Sequence, residues 1–317
     1  LMLYHIQWKF RDEIRPRFGI MRCREFLMKD TYSFDLSEED AQKTYFRMML
    51  CYLKTFQKLE LKALQSKADT GPIGGNLSHE FIILADTGES KIYTDKRIFD
   101  VDSTKTILEK ESLSTLRKQF EKYYSVTDEK FNKDEFEKSV PEEFRVNTKG
   151  IEVGHIFYFG DKYSKPMNAA VDFNGKKEFV KMGSYGIGVS RLVGAIIEAK
   201  YNDKDGIMKW PMSVTPYDCA IIPMINKNDK SNLEKSIKVH EFLKSKNIET
   251  IIDDTDENIS AKIKKFNLIG IPYQLIIGSK SEGNLYEFKE VDGETQKLKV
   301  EDIASQIIKA KQNWFHN

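Results

Sequence analysis

Between positions 4 and 11 the chain alternates strictly, with Tyr4, Ile6, Trp8 and Phe10 apolar and His5, Gln7, Lys9 and Arg11 polar. A period of two predicts a half-exposed strand. The pattern breaks at 14–23, where Pro16 and Gly19 sit among Arg15, Arg17 and Arg22, with Arg24 at the exit. No acid lies between Glu13 and Glu25, so this is a cationic loop. A second strand over 25–34 makes the unit a hairpin with a long basic tip. Ser37 then offers a cap, Glu38, Glu39 and Asp40 an acidic first turn, and Tyr45, Met48, Met49, Tyr52 and Phe56 an apolar helical stripe.

Further on, a glycine-rich stretch at 71–75 leads into a short apolar strand at 79–84. Residues 95–144 are highly charged, with helical spacing at Leu113, Leu116, Phe120, Tyr123 and Tyr124, and read as a small helical insert. Strands are expected at 150–159, 169–173 and 179–185. A helix follows over 186–200, with Val189, Leu192, Val193, Ile196 and Ile197 on one face. Past a proline-bearing linker at 210–216 the rhythm changes. Short apolar strands at 219–223, 248–252, 273–277 and 285–289 are interleaved with helices at 231–246 and 260–268, and a helix over 300–311 closes the chain. The fold class is therefore α/β in two domains, 1–212 and 213–317.

Composition narrows the function classes. The 317 residues are 40% hydrophobic and 31% charged with a net charge of +1, which excludes a disordered chain and a globally basic nucleic-acid binder. Cys23, Cys51 and Cys219 have no metal-ligand spacing and point to a reducing, cytoplasmic setting. No apolar run approaches the ~20 residues that cross a bilayer. The chain enters a patterned strand at once, which reads as a truncated start.

Two clusters carry candidate chemistry. On the hairpin, Arg11 and Glu13 share the face opposite Tyr4, Ile6, Trp8 and Phe10, and Arg24 and Phe26 share a face of the returning strand. A guanidinium, a carboxylate and an aromatic ring together suit a nucleotide, but cross-strand ion pairs on a solvated sheet face give the same pattern. The second cluster is Gly186-Ile187-Gly188-Val189-Ser190-Arg191. Arg191 stands where a dinucleotide fingerprint needs its third glycine, so that reading fails; a cation at a helix start suits a triphosphate instead.

The order of these residues resembles the class II aminoacyl-tRNA synthetases. Phe10-Arg11-Asp12-Glu13, the basic loop and Arg24-Glu25-Phe26-Leu27-Met28-Lys29-Asp30 are similar to motif 2, and Arg15-Pro16-Arg17-Phe18-Gly19 looks like the bacterial-type prolyl members. The run from Met182 to Arg191 resembles motif 3, and the run from Ile73 to Phe81 resembles the prolyl amino-acid pocket. Asp253-Asp254 and Gly270-Ile271-Pro272 are similar to the anticodon-binding domain of the same subclass.

The resemblance implies an α+β catalytic domain with an antiparallel sheet, followed by a mixed-sheet α/β anticodon-binding domain. It implies ATP-dependent attachment of proline to tRNA(Pro) through a prolyl-adenylate, with Mg²⁺. Arg11 and Arg191 are then the catalytic cations, on the α-phosphate and the γ-phosphate side. Glu13 meets the adenine amine and Phe26 stacks on the ring, while Arg24, Gly186 and Gly188 complete the ATP site. Glu80 helps to place ATP or Mg²⁺, His79 and Ser184 lie beside the proline, and Arg15, Arg17 and Arg22 touch the tRNA acceptor end. His155 is read as structural.

Two family features are not found in the sequence: motif 1, which builds the homodimer, and the Thr-x-Glu loop of the proline pocket. Only the insert at 95–144 stands where many relatives carry an editing domain, so no hydrolysis of mischarged alanyl-tRNA(Pro) is expected; turnover in a deacylation assay would overturn this. Two alternatives stay open, a threonyl-type enzyme and a synthetase-like protein that binds tRNA without catalysis.

Overall fold

The computed structural model describes residues 1–75, 77–102, 112–226, 229–278, 281 and 283–316. They form two compact units, Leu1–Ala195 and Ile196–Asn317.

The first unit opens with the expected hairpin of β1 (Met2–Phe10) and β2 (Glu25–Asp35), in register from Met2 opposite Ser33 to Phe10 opposite Glu25. Helix α1 (Glu38–Lys58) starts at Ser37, whose Oγ accepts the Asp40 N–H at 3.1 Å. Its three first-turn acids meet the positive end of the helix. Then come β3 (Ala63–Lys67), β4 (Leu77–Leu84), β5 (Ser90–Asp95), α2 (Leu113–Phe120), β6 (Ser125–Thr127) and α3 (Lys133–Ser139). The unit continues through β7 (Arg145–Gly160), β8 (Ala170–Phe173), β9 (Lys176–Phe179) and β10 (Lys181–Gly188) and ends within α4 (Val189–Lys200). Eight strands form one sheet in the order β1-β2-β10-β7-β4-β3-β6-β5, antiparallel except where β3 meets β6. Helix α1 lies on one face of this sheet and buries Tyr45, Phe46, Met49, Tyr52 and Phe56 there.

The sequence expectations hold for the hairpin and α1 and shift elsewhere. Gly186 and Gly188 belong to β10 rather than to the helix, because they pair with Asp30 and Met28 of β2 and the ladder continues up to Gly188. The insert is not purely helical. Its Ser125–Thr127 becomes β6, too short to show a period, and Val126 joins Tyr93, Phe136 and Val140 in a small core. Residues 103–111 of the insert lie outside the described residues. The apolar side of β1, the edge strand, is exposed, with Tyr4 at 73% and Phe10 at 75%.

Beneath the sheet, the Tyr45 hydroxyl and His79 Nδ1 share a hydrogen bond of 2.7 Å, both side chains fully buried. Burial pushes the His79 imidazole down to about 3. An unfolded chain takes up this proton below about 6.5 and the folded chain does not, so stability is complete above that pH and falls as pH drops toward 3. Each pH unit within the window costs about 1.4 kcal/mol. Tyr45→Phe strands the buried Nδ1 and is expected to cost about 1–3 kcal/mol in urea unfolding at neutral pH.

The second unit holds β11 (Cys219–Pro223), α5 (Ser231–Ser245), β12 (Thr250–Ile252), α6 (Ile259–Ile269), β13 (Tyr273–Ile277), β14 (Leu285–Glu290), β15 (Gln296–Lys299) and α7 (Val300–His316). The sheet order is β12-β11-β13-β14-β15, with β11 parallel to both neighbours and the last three strands antiparallel. Alternation along β11 sends Cys219 and Ile221 to a core with Val239, Leu243 and Ile303, and Ala220 and Ile222 to a second core with Phe266. A sheet covered by helices on both faces follows from these continuous apolar strands. Strand β15 was not foreseen, as Gln296–Lys299 is polar and largely exposed. Among the described residues, no helix is long and apolar enough to cross a membrane.

Candidate active site

A cleft of about 770 Å³ opens on the face of the first sheet away from α1. Phe26, Ser184, Gly186, Gly188, Glu80, Glu152 and His155 line it from the strands, Arg11 from just past the end of β1, and Arg191 from the first turn of α4. The polar side of β1 thus faces the cleft, as the alternation implied. The Arg11 guanidinium carbon lies 5.1 Å from the centre of the Phe26 ring, and its Nη2 is 3.5 Å from Met28 Sδ. A cation over an aromatic face leaves both available to a phosphate and a base. The Ser190 hydroxyl accepts the Leu27 N–H at 2.9 Å, which ties the start of α4 to β2.

Glu13 is held on both oxygens. It accepts the Arg15 N–H at 3.0 Å and Arg22 Nε at 2.9 Å, and these bonds keep its carboxyl below the usual range. Arg24 does not line the cleft; its Nε donates to the Glu13 carbonyl at 2.8 Å and splints the backbone there. Arg191 donates Nε to Met21 O and Nη1 to Glu152 O, each at 2.9 Å, with the Glu152 carboxylate at 3.3 Å. It therefore ties the basic loop to β7. Arg15 and Arg17 stand outside the lining, Arg17 in an ion pair with Glu89.

Glu80, Glu152 and His155 offer ligand atoms within 4.8 Å of one another. Burial, with the charges of Glu152 and Glu129 beside it, pushes the Glu80 carboxyl up to about 8. Burial raises Glu152 too, but the His155 hydrogen bond and the Arg191 charge outweigh it and hold Glu152 low. Two carboxylates crowded this way make a donor set that a hard divalent cation completes.

Two sequence assignments are corrected, Arg24 as above and His79, and two residues are added, Glu152 and His155. His79 does not reach the cleft, because alternation along β4 places Ser78 and Glu80 toward His155 and turns His79 to the α1 side, against Tyr45. His155, read as structural, is in the cleft: Ser78 Oγ lies 2.6 Å from its Nε2 and its ring stacks on Phe157 at 3.9 Å. Strict alternation would separate Glu152 from His155. A register shift between Phe81 and Ile82, which pair with Gly154 and Glu152, brings the two to one face. The exit of the cleft is bounded by the glycine-rich stretch. The Ile73 carbonyl accepts Lys162 Nζ at 2.7 Å and the Tyr163 hydroxyl at 2.5 Å. Gly75 has φ +124°, and a Cβ there would sit 2.6 Å from Tyr158 O. Asn76 lies outside the described residues.

Residues 1–200 match the tRNA synthetase class II core domain (G, H, P, S and T), and residues 218–310 match an anticodon binding domain. The chain is similar to a proline–tRNA ligase of Pelagibacter ubique, 68% identical over 311 residues, or 98% of this chain and 70% of the relative. It is also similar to the proline–tRNA ligase of Bartonella tribocorum, 50% identical over 317 residues, and to that of Hyphomonas neptunium, 48% identical over 311. Each of these matches covers 97% of this chain and 70% of the relative.

Proposed function

The chain belongs to the class II tRNA synthetases, among the proline–tRNA ligases, and we propose that it activates proline with ATP and transfers it to tRNA(Pro) in the cytoplasm. The observation that carries this reading is the convergence of Arg11, Phe26, Glu13 and Arg191 on one cleft beside an acidic pair. In the first step a proline carboxylate oxygen attacks the α-phosphorus of ATP in line. The new carboxyl O–P bond forms as the bond to the bridging oxygen breaks, and pyrophosphate leaves. In the second step the 3′-hydroxyl of the terminal tRNA ribose attacks the prolyl carbonyl, and AMP departs.

No covalent intermediate on the protein is needed; the chain positions reactants and neutralises charge. Arg11 takes the α-phosphate, Phe26 stacks on adenine, Glu13 accepts its exocyclic N–H, and Arg191 takes the γ-phosphate side. The backbones of Gly186 and Gly188 floor the nucleotide and Ser184 faces the proline. His79 acts from beneath, by fixing the strand that carries Glu80. Glu80 and Glu152 would hold Mg²⁺, which when bound neutralises phosphate charge. Arg15, Arg17 and Arg22 receive the acceptor end, and the second unit the anticodon.

Proline-dependent ATP–pyrophosphate exchange tests the reading, on the chain alone and with the N-terminal region of a relative supplied in trans. Exchange with proline and with no other amino acid is expected in at least one mixture; none in either, from folded protein, leaves tRNA binding without catalysis. Gly75→Ala must move the glycine-rich stretch and is expected to raise KM for proline on the order of tenfold, with KM for ATP little changed. Equal shifts in both constants would detach this stretch from the amino-acid pocket.

A further inference from the structure

The basic loop over 14–24 is narrow at its neck, where Arg17 and Arg22 form an antiparallel bridge and the Arg17 N–H donates to Arg22 O at 3.1 Å. Facing residues of such a bridge send their side chains to the same side. Both guanidinium groups meet one carboxylate there, that of Glu89, which comes from the turn between β4 and β5. Arg17 Nε is 2.5 Å from Glu89 Oε1, and Arg22 Nη1 is 2.9 Å from Oε2. Arg22 continues through Nε to Glu13 at 2.9 Å. The charges therefore run Arg17, Glu89, Arg22, Glu13, from the outside of the loop into the cleft, which Glu89 itself lines.

The turn does not need this side chain. The Gly88 N–H closes it on Ala85 O at 2.9 Å. The carboxylate instead spans some seventy positions of sequence to neutralise two of the loop's four arginines. Arg17 and Arg22 are half-exposed, so each pair is individually weak and open to exchange with a competing anion. Phosphate competes well, because the guanidinium fork fits phosphate as it fits carboxylate.

We propose that Glu89 is a counter-ion latch: its carboxylate holds Arg17 and Arg22 where they fix Glu13 for the nucleotide, and phosphates of the tRNA 3′ end displace it to take the same two arginines. This rests on the reading of the cleft as the adenylate-forming site. Glu89 is a positioning residue, acting on ATP through Arg22 and Glu13 and on tRNA by competition. A side chain that merely stabilised the loop would support both ligands; a latch supports one at the expense of the other.

The isosteric Glu89→Gln and the charge-keeping Glu89→Asp, made in the full chain, separate the two. In Glu89→Gln, hydrogen exchange of the Arg17 amide is expected to quicken by about tenfold, with Glu89→Asp between it and the wild type. Calorimetric ATP affinity is expected to weaken several-fold. Affinity for an acceptor-stem RNA hairpin ending in CCA is expected to rise several-fold, with a salt dependence steeper by about one to two charges. Exchange at Arg17 unchanged in both variants overturns the latch, whatever the activity assay gives. ATP and hairpin affinities that fall together overturn the displacement. Absence of proline-dependent pyrophosphate exchange in the wild type overturns the functional reading alone and leaves the hydrogen-exchange result to decide the latch.

Discussion

Arg11→Ala is expected to lower proline-dependent ATP–pyrophosphate exchange by about 10²–10³-fold while leaving the unfolding midpoint of the first unit in place. The two halves of that result come from the same geometry. Among the described residues, Arg11 contacts a thioether and an aromatic ring and no carboxylate, so its removal strands no buried charge. Its guanidinium lines the cleft, open to what enters there. Arg191 is different. Its guanidinium holds Met21 O, Glu152 O and the Glu152 carboxylate, so Arg191→Ala is expected to lose activity and stability together. Kinetics and thermal unfolding on both variants check the contrast. Retained exchange in Arg11→Ala would remove it from the α-phosphate, and a lowered midpoint would make it a structural residue.

The largest expected effect on stability lies in the second unit, at Lys262. This lysine is wholly buried, and its Nζ donates to Pro223 O at 3.1 Å, Asp253 O at 3.0 Å and Thr255 O at 2.7 Å. The Asp253 carboxylate lies 3.6 Å away. Burial raises the Asp253 carboxyl, but bonds from Lys265 and Thr255 and the charge of Lys262 bring it below its ordinary value. The three ammonium protons thus gather the ends of β11 and β12 onto α6. Lys262→Met fills the space but leaves three carbonyls without their donor and removes the buried charge beside the Asp253 carboxylate, at an expected cost of about 3–5 kcal/mol. Lys262→Arg is not expected to rescue it, since a planar fork cannot serve three carbonyls around one point. Chemical denaturation followed as two transitions reads this out; a loss below about 1 kcal/mol would mean that water replaces the ammonium.

Much of this was legible in the residues themselves, for reasons that differ by element. The β1–β2 hairpin and α1 were plain because their polarity periods are long and local, and Ser37 marks the helix start. The polar side of β1 faces the cleft, as its alternation required. Where the structure departed, a non-local partner decided. Gly186 and Gly188 look like a helix entry alone and are strand because β2 continues beside them. His79 looks like the chemistry-bearing member of a Ser-His-Glu run, yet its neighbours on both sides take the cleft face. Glu152 and His155 share a face only through a register shift that no period reveals. Arg17 and Arg22 looked like free cations, and their carboxylate partner lies far along the chain.

The position of β10 carries a consequence for how the first unit comes into being. The hairpin made by residues 2–35 is joined to the rest of its sheet by β10 alone, which pairs with β2 on one side and β7 on the other. On a ribosome, residues 145–160 can find 77–84 and 90–95 soon after they emerge, but the hairpin must wait until residue 188 is free. Such late, long-range closure makes for slow folding and a growing chain with two unpaired sheet edges. A chain ending before residue 181 would therefore lack the ladder between β2 and β7 and hold them together through α1, which packs on both, while the second unit begins after the first can already have closed.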